Sequence, residues 1–180
     1  TLLPVAKVLL PDGSREVVPG SGEVGMVAQG GMVPLGYYKD PEKSAKTFKE
    51  IDGTRYAFIG DMATIDADGT INLLGRGSNC INTGGEKVFP EEVEEALKLH
   101  PHVADALVFG LEDERFGNRV AGVVSLEQSG TAEAGDILEA TRKLLASYKL
   151  PKDLLVVPVV PRAPNGKADY KTAKSMMADG

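Results

Sequence analysis

The chain has 180 residues, of which 42% are hydrophobic, and a formal net charge of −6. This length fits one ordinary domain or two small ones, and the apolar content is sufficient for a hydrophobic core. The negative charge, with no basic stretch and no Trp, argues against nucleic-acid binding, which needs a concentrated positive surface.

Short antiparallel strands joined by glycine-containing turns are predicted for the first part of the chain. A helix interrupts them, with Asp40 as its N-cap and Pro41 at its first position, and is predicted to run to about Lys49. This arrangement predicts a small barrel or a distorted sheet. The predicted strands cover 5–10, 23–29, 54–65 and 71–74.

Helical spacing of apolar residues begins after residue 90 and alternates with strand-like stretches. The order is helix, strand, strand, helix, strand and a final short helix after Asp169. It predicts a compact α+β layer with the strands on one side and the helices on the other. Helices are predicted at 91–99 and 137–145, and strands at 103–109, 119–126 and 154–160.

Residues 75–95 connect these two blocks and have three physical parts. Gly75 and Gly77 flank Arg76, and their conformational freedom suits a hinge. The turn Asn82-Thr83-Gly84-Gly85 would let a ligand or another backbone approach closely. Pro90, followed by several glutamates, suits the first turn of a helix, whose N-terminal end is positive.

This connecting stretch resembles the hinge motif of the adenylate-forming enzymes, which include acyl-CoA synthetases, the adenylation domains of peptide synthetases and luciferases. Ile59-Gly60-Asp61 resembles the ribose-binding element of that family, and Pro164-Asn165-Gly166-Lys167 resembles its C-terminal P-x-x-x-x-G-K element. The three motifs stand in the family's order. The resemblance implies an α+β fold in which 1–77 is the distal β-rich part of the large ATP-binding domain and 78–180 is the mobile C-terminal domain.

The resemblance also implies a role for each motif. Asp61 would accept hydrogen bonds from both ribose hydroxyls of ATP, and Arg76 would contact the nucleotide. Ser78 falls at the pivot of the hinge, where relatives commonly carry Asp or Lys. Lys167 matches the catalytic lysine, whose charge would stabilise the attack of a carboxylate on the α-phosphate. The channel for the CoA thiol is assigned to Gly84, Gly85, Glu86 and Lys87.

The function implied is that of an ATP-dependent acyl-CoA ligase, which makes acyl-AMP and then transfers the acyl group to CoA. Its cosubstrates would be ATP with Mg²⁺ and CoA. Residues 80–95 are most similar to actinobacterial fatty-acyl and steroid-side-chain acyl-CoA ligases, which favours a fatty or steroid-side-chain acid. Two alternatives stay open: a non-catalytic regulatory or scaffolding module, and an acid-activating enzyme with a carrier-protein acceptor. The presence of Asp61, Arg76 and Lys167 argues against a scaffold.

The family's phosphate loop, acyl pocket and adenine-binding aromatic residue should all lie upstream of this chain. Because residue 1 is Thr and the chain opens in strand-like sequence, we expect a fragment that is inactive alone and whose main partner is the missing N-terminal part of the same protein.

No metal ligands and no membrane span are predicted. His100 and His102 lie two residues apart without a second cluster, and no apolar run reaches the length that crosses a bilayer. The single cysteine, Cys80, cannot form an internal disulfide and fits a cytoplasmic location.

Overall fold

A computed structural model of the protein describes residues 6–128 and 130–179. The chain divides into two compact units, of which the first ends at Ser78 and the second begins at Asn79. The division lies one residue beyond the predicted boundary between 77 and 78, and the assignment of the units to the large and the mobile domain of an enzyme stays a prediction. Within the described ranges, no helix has both the length and the apolar character needed to cross a membrane.

The first unit is built on a five-stranded antiparallel sheet whose central strand is β4. Strand β2 pairs with one edge of β4, and β3 and β5 pair with different halves of the other edge. Two register shifts interrupt the ladders. Of the two predicted alternatives, a small barrel and a distorted sheet, the structure therefore agrees with the distorted sheet. The elements are β1 (Ala6–Leu9), β2 (Gly25–Gln29), α1 (Pro41–Thr47), β3 (Phe48–Ile51), β4 (Thr54–Ile65) and β5 (Ile71–Arg76).

Helix α1 begins as predicted but ends earlier than predicted. The Asp40 carboxylate accepts a hydrogen bond from the backbone N–H of Lys43 at 3.0 Å, which confirms the N-cap. The helix ends at Thr47, and the next four residues form β3 instead of a further helical turn. Asp52 and Gly53 both have positive φ, as a two-residue hairpin turn requires. This turn pairs β3 with β4, and the tertiary pairing overrides the local helical tendency.

The second unit contains a five-stranded sheet in which β10, β9, β6 and β7 follow one another and β8 pairs with β9. Strand β10 runs parallel to β9, and the other pairings are antiparallel. The hairpin β6–β7 is not among the predicted strands. Helix α3 begins and ends earlier than the predicted helix 137–145, and β10 ends four residues before the predicted limit of 160. The elements are β6 (Ile81–Thr83), β7 (Glu86–Val88), α2 (Pro90–Lys98), β8 (Val103–Asp113), β9 (Gly117–Leu126), α3 (Ala134–Thr141), β10 (Asp153–Val156) and α4 (Tyr170–Asp179).

Helices cover both faces of this second sheet, which corrects the predicted layer with helices on one side only. On β8, Ala106 and Val108 pack towards Leu97 of α2 and Ile137 of α3. The alternating residues of β8 point the other way and pack with Ala173 of α4. Successive side chains of a strand point to opposite faces, and β8 is apolar on both. One helical layer would therefore leave half of the strand's apolar surface in water.

Candidate functional site

Asp61 and Arg76 are cross-strand neighbours in the first unit. Asp61 of β4 lies directly opposite Arg76 of β5 in the antiparallel ladder. The Arg76 Nε atom is 2.7 Å from Asp61 Oδ1, and a second guanidinium nitrogen donates to the carbonyl of Ile59 at 3.0 Å. Both side chains are partly exposed. The structure thus brings the two predicted nucleotide contacts together, with the carboxylate and the guanidinium on one surface.

Ser78, the predicted pivot, lies in a single 3₁₀ turn, Gly77–Asn79, that follows β5 directly. It is the last residue of the first unit. Gly75, two residues before this turn, has a backbone φ of 131°. Residues with a Cβ rarely adopt this value. The hinge role of this segment stays a prediction.

The predicted CoA-channel residues form the tip of the β6–β7 hairpin in the second unit. Gly84 and Gly85 are its two loop residues, and both have positive φ, as the tightest hairpin turns require. A Cβ on Gly84 would lie 3.1 Å from the ring of Phe116, whereas a Cβ on Gly85 would point into open space. The Gly84 N–H also donates to the carbonyl of Phe116 at 3.0 Å. Gly84 is therefore needed for packing, whereas Gly85 leaves the tip open to an approaching molecule.

A cavity of about 510 Å³ lies beside this hairpin within the second unit. Its lining is mostly apolar and includes acidic and basic side chains. Of the predicted channel residues, Gly84 and Glu86 contribute to the wall of the cavity. The wall consists of Thr83, Gly84, Glu86, Asp113, Phe116, Arg119, Val120, Ser147, Tyr148, Leu150 and Lys152.

Lys167 follows the tight turn Ala163–Gly166, and we call 162–168 the lysine turn. The N–H of Gly166 donates to the carbonyl of Ala163 at 2.8 Å, and the N–H of Ala163 donates to the carbonyl of Lys167 at 2.8 Å. The side chain of Asn165 accepts the N–H of Lys167 at 3.1 Å. Gly166 has a φ of 80°, which completes a hairpin loop with a left-handed residue after the turn. Lys167 is exposed, on a backbone whose hydrogen bonds are internal to the turn.

The base of the lysine turn is tied to the sheet by an ion pair that sequence reasoning missed. Arg162 donates two hydrogen bonds of 2.7 Å to the two carboxylate oxygens of Asp105 in β8. These bonds hold the pKa of the Asp105 carboxyl below its usual value. The two residues are 57 positions apart, so no local pattern in the sequence could have revealed the contact.

Two further titratable side chains lie near this ion pair. Glu94 of α2 accepts the backbone N–H of Val108 at 2.9 Å, and its burial raises the pKa of its carboxyl. Tyr170 is the first residue of α4, and its hydroxyl accepts a hydrogen bond of 3.4 Å from Asn79. Burial, with the charges of Glu94 and Glu91, raises the pKa of Tyr170 to about 12.

We expect a tyrosine that ionises near pH 12 in the intact chain and is absent from a Tyr170→Phe variant. Because the folded state raises this pKa above its ordinary value of 10.0, protonated Tyr170 favours folding, and this contribution is lost as the pH rises from about 10 to about 12. Tyrosinate absorbance against pH measures the ionisation directly. A Tyr148→Phe control should keep the late transition, and an unchanged titration in Tyr170→Phe would contradict the assignment.

Comparison with known proteins supports the family predicted from the motifs. Residues 92–167 match the AMP-binding enzyme C-terminal domain. The chain is 51% identical over 166 residues to the 3-oxocholest-4-en-26-oate–CoA ligase of Rhodococcus rhodochrous, over 92% of this chain and 30% of that protein. It is 50% identical over 169 residues to a medium/long-chain-fatty-acid–CoA/3-oxocholest-4-en-26-oate–CoA ligase of Mycolicibacterium smegmatis, over 94% and 31% of the two chains.

The solved structures agree with the sequence comparison. Apo MatB from Rhodopseudomonas palustris superposes with a TM-score of 0.78 and 30% identity, over 98% of this chain and 34% of that one. The chain spans about 30% of the length of the curated relatives it matches. The predicted α+β fold and the predicted family are confirmed. The chain belongs to the adenylate-forming enzyme family and contains its AMP-binding enzyme C-terminal domain.

Proposed function

We propose that this chain is the C-terminal part of an ATP-dependent acyl-CoA ligase that activates a fatty or steroid-side-chain acid. The observation that carries the proposal is Lys167, which stands on a structured, exposed turn in a domain whose relatives at about 50% identity are named acid–CoA ligases. The acyl pocket and the phosphate-binding loop would lie in the N-terminal part of the longer protein.

In the first half-reaction, a carboxylate oxygen of the acid attacks the α-phosphorus of ATP. The bond between this phosphorus and the bridging oxygen to the β-phosphate breaks, so acyl-AMP forms and pyrophosphate leaves. Lys167 would stabilise the negative charge that develops on the phosphate oxygens, as a compact cation on a flexible stem can do. Asp61 and Arg76, which are paired at 2.7 Å, would contact the ribose hydroxyls and the nucleotide.

Mg²⁺ would enter with ATP, and the proposal assigns it no ligand from this chain. Within the described ranges, no group of three or more His, Cys, Asp or Glu residues is arranged to hold a metal ion.

In the second half-reaction, the thiol of CoA attacks the acyl carbon, the bond to AMP breaks, and the thiol proton passes to solvent. The open tip of the β6–β7 hairpin, with Gly85 and the exposed Glu86 and Lys87, would line the path of the thiol. We propose that the second unit turns about Ser78 between the two half-reactions, so that Lys167 leaves the reacting centre when the hairpin arrives. Such exchange between two states is a known way to separate two steps at one centre.

The proposal is tested by comparing the 180-residue chain with the longer protein that its coding sequence specifies. We expect the reading frame upstream of Thr1 to encode a Ser/Thr/Gly-rich phosphate loop. The longer protein should catalyse acid-dependent ATP–pyrophosphate exchange and form acyl-CoA from fatty or steroid-side-chain acids, whereas the 180-residue chain should do neither.

Three results would contradict the proposal in different ways. Exchange by the 180-residue chain would show that the site is complete without an upstream part. Exchange without thioester formation in the presence of CoA would favour a carrier-protein acceptor. No exchange by the longer protein with any acid of these two classes would favour the regulatory or scaffolding module.

A further inference from the structure

We infer that Asp105 and Arg162 are positioning residues for Lys167: their ion pair fixes the direction in which the lysine turn projects from the sheet. The inference rests on the proposed role of Lys167 in acyl-adenylate formation. It adds Asp105, which belongs to none of the motifs, and gives a role to Arg162, a variable position within the last motif.

The lysine turn has its own hydrogen bonds but needs an external anchor. Its own hydrogen bonds, between Ala163 and Gly166 and between Ala163 and Lys167, define its shape while the base of the turn is closed but do not set its orientation. The four residues at its tip, 164–167, are exposed, so packing cannot hold them. The apolar contacts at the two ends of the turn, through Val160 before it and through its last residue, Ala168, hold these ends and leave the tilt of the turn unspecified.

The Asp105–Arg162 pair supplies the missing constraint. Arg162 forms an antiparallel β-bridge with Ala168 that closes the base of the turn. Its guanidinium donates one hydrogen bond of 2.7 Å to each carboxylate oxygen of Asp105. A bidentate arginine–carboxylate contact fixes the relative orientation of the two groups as well as the distance between them. Asp105 is itself fixed, because it lies in β8 opposite Ser125 of β9. The orientation of the turn is therefore set by the paired strands β8 and β9 of the second unit.

The chemistry explains why orientation matters. The lysine stem is long and flexible, and a displacement of about 1 Å at a catalytic group can cost about a hundredfold in rate. A turn that tilts freely would place Lys167 correctly for only a fraction of the time. The pair is partly exposed, with 38% of the Arg162 side chain and 31% of the Asp105 side chain accessible, so we expect a moderate effect and not the loss of the fold.

The test combines hydrogen exchange with the two half-reactions in the longer natural protein. In Asp105→Asn and Arg162→Lys variants, the base of the turn should open more often, so the hydrogen-bonded amides of Gly166 and Lys167 should exchange about three to ten times faster. Acyl-adenylate formation should fall about tenfold, while thioester formation from supplied acyl-AMP should stay within about twofold. Arg162→Lys keeps the positive charge but cannot make the bidentate contact. It therefore separates the effect of contact geometry from the effect of charge.

The matched control is Glu92→Gln, which breaks another two-contact pair of the same unit. Lys149 donates to both oxygens of Glu92 at 2.6 and 2.8 Å, and neither residue belongs to the lysine turn. This control should leave the exchange of Gly166 and Lys167 and the adenylation rate unchanged. Thermal unfolding of all variants identifies any general loss of stability.

The outcomes separate the inference from the proposed function. Unchanged exchange at Gly166 and Lys167 in both Asp105→Asn and Arg162→Lys would overturn the inference, and so would an equal fall in both half-reactions. If the unmodified protein forms no acyl-adenylate, the proposed function fails, and the positioning role for Lys167 fails with it. The hydrogen-exchange data alone then decide whether the Asp105–Arg162 pair orders the turn.

Discussion

Replacement of Lys167 by alanine in the longer natural protein should slow acyl-adenylate formation by about two to three orders of magnitude. This is the usual cost of removing one group that stabilises charge in a transition state. Thioester formation from supplied acyl-AMP should change little, because the proposal removes Lys167 from the centre before that step. ATP–pyrophosphate exchange measures the first half-reaction, and release of AMP from supplied acyl-AMP and CoA measures the second.

The two half-reactions make this experiment sharper than a measurement of overall activity. Lys171, which is exposed and lies in α4 four residues further on, provides the matched control, and Lys171→Ala should leave both rates unchanged. Equal loss in both half-reactions would place Lys167 in a shared structural role. Full activity of Lys167→Ala would remove it from the chemistry, and a protein with no ligation to lose would favour the scaffolding alternative.

Local sequence signals predicted the parts of this fold that depend on neighbouring residues. Asp40 and Pro41 marked the start of α1 because capping involves only the first turn of a helix. The strand-like stretches of the long strands and the helical spacing in α2 were equally readable. The local pattern gave the wrong structure where strand pairing determines it. Strand β3 forms because a two-residue turn folds it onto β4, although the sequence predicted that the helix continues into its first residues.

The candidate site was predictable only as far as its motifs are contiguous. Asp61 and Arg76 were predicted as separate nucleotide contacts, and the structure adds that they form one ion pair across β4 and β5. Arg162 stands within the last motif, but its partner Asp105 lies in a strand with no motif of its own. Side chains that orient a functional group through such long-range contacts leave no periodic signal, so the structure is needed to find them.

The apolar faces of the second sheet lead to a large expected effect on stability. Leu97 of α2 is fully buried, in the cluster formed with β8, β9 and α3. We expect Leu97→Ala to lower the free energy of unfolding of the second unit by about 2–5 kcal/mol, through lost burial and the cavity left behind. This is a large share of the roughly 5–15 kcal/mol by which a domain is stable. Denaturant unfolding followed by circular dichroism measures the change.

Leu99, two residues further along the chain, is the matched control because 71% of its surface is exposed. Leu99→Ala should change the free energy of unfolding by less than about 0.5 kcal/mol. Leu107→Ala tests the opposite face of the sheet, where Leu107 packs in the cluster that contains Ala173 of α4. Because the two clusters lie on opposite faces, the losses of Leu97→Ala and Leu107→Ala should add to within about 0.5 kcal/mol. Strong non-additivity would mean that α2 and α4 share one core, and equal costs for Leu97→Ala and Leu99→Ala would contradict the burial of α2 on this sheet.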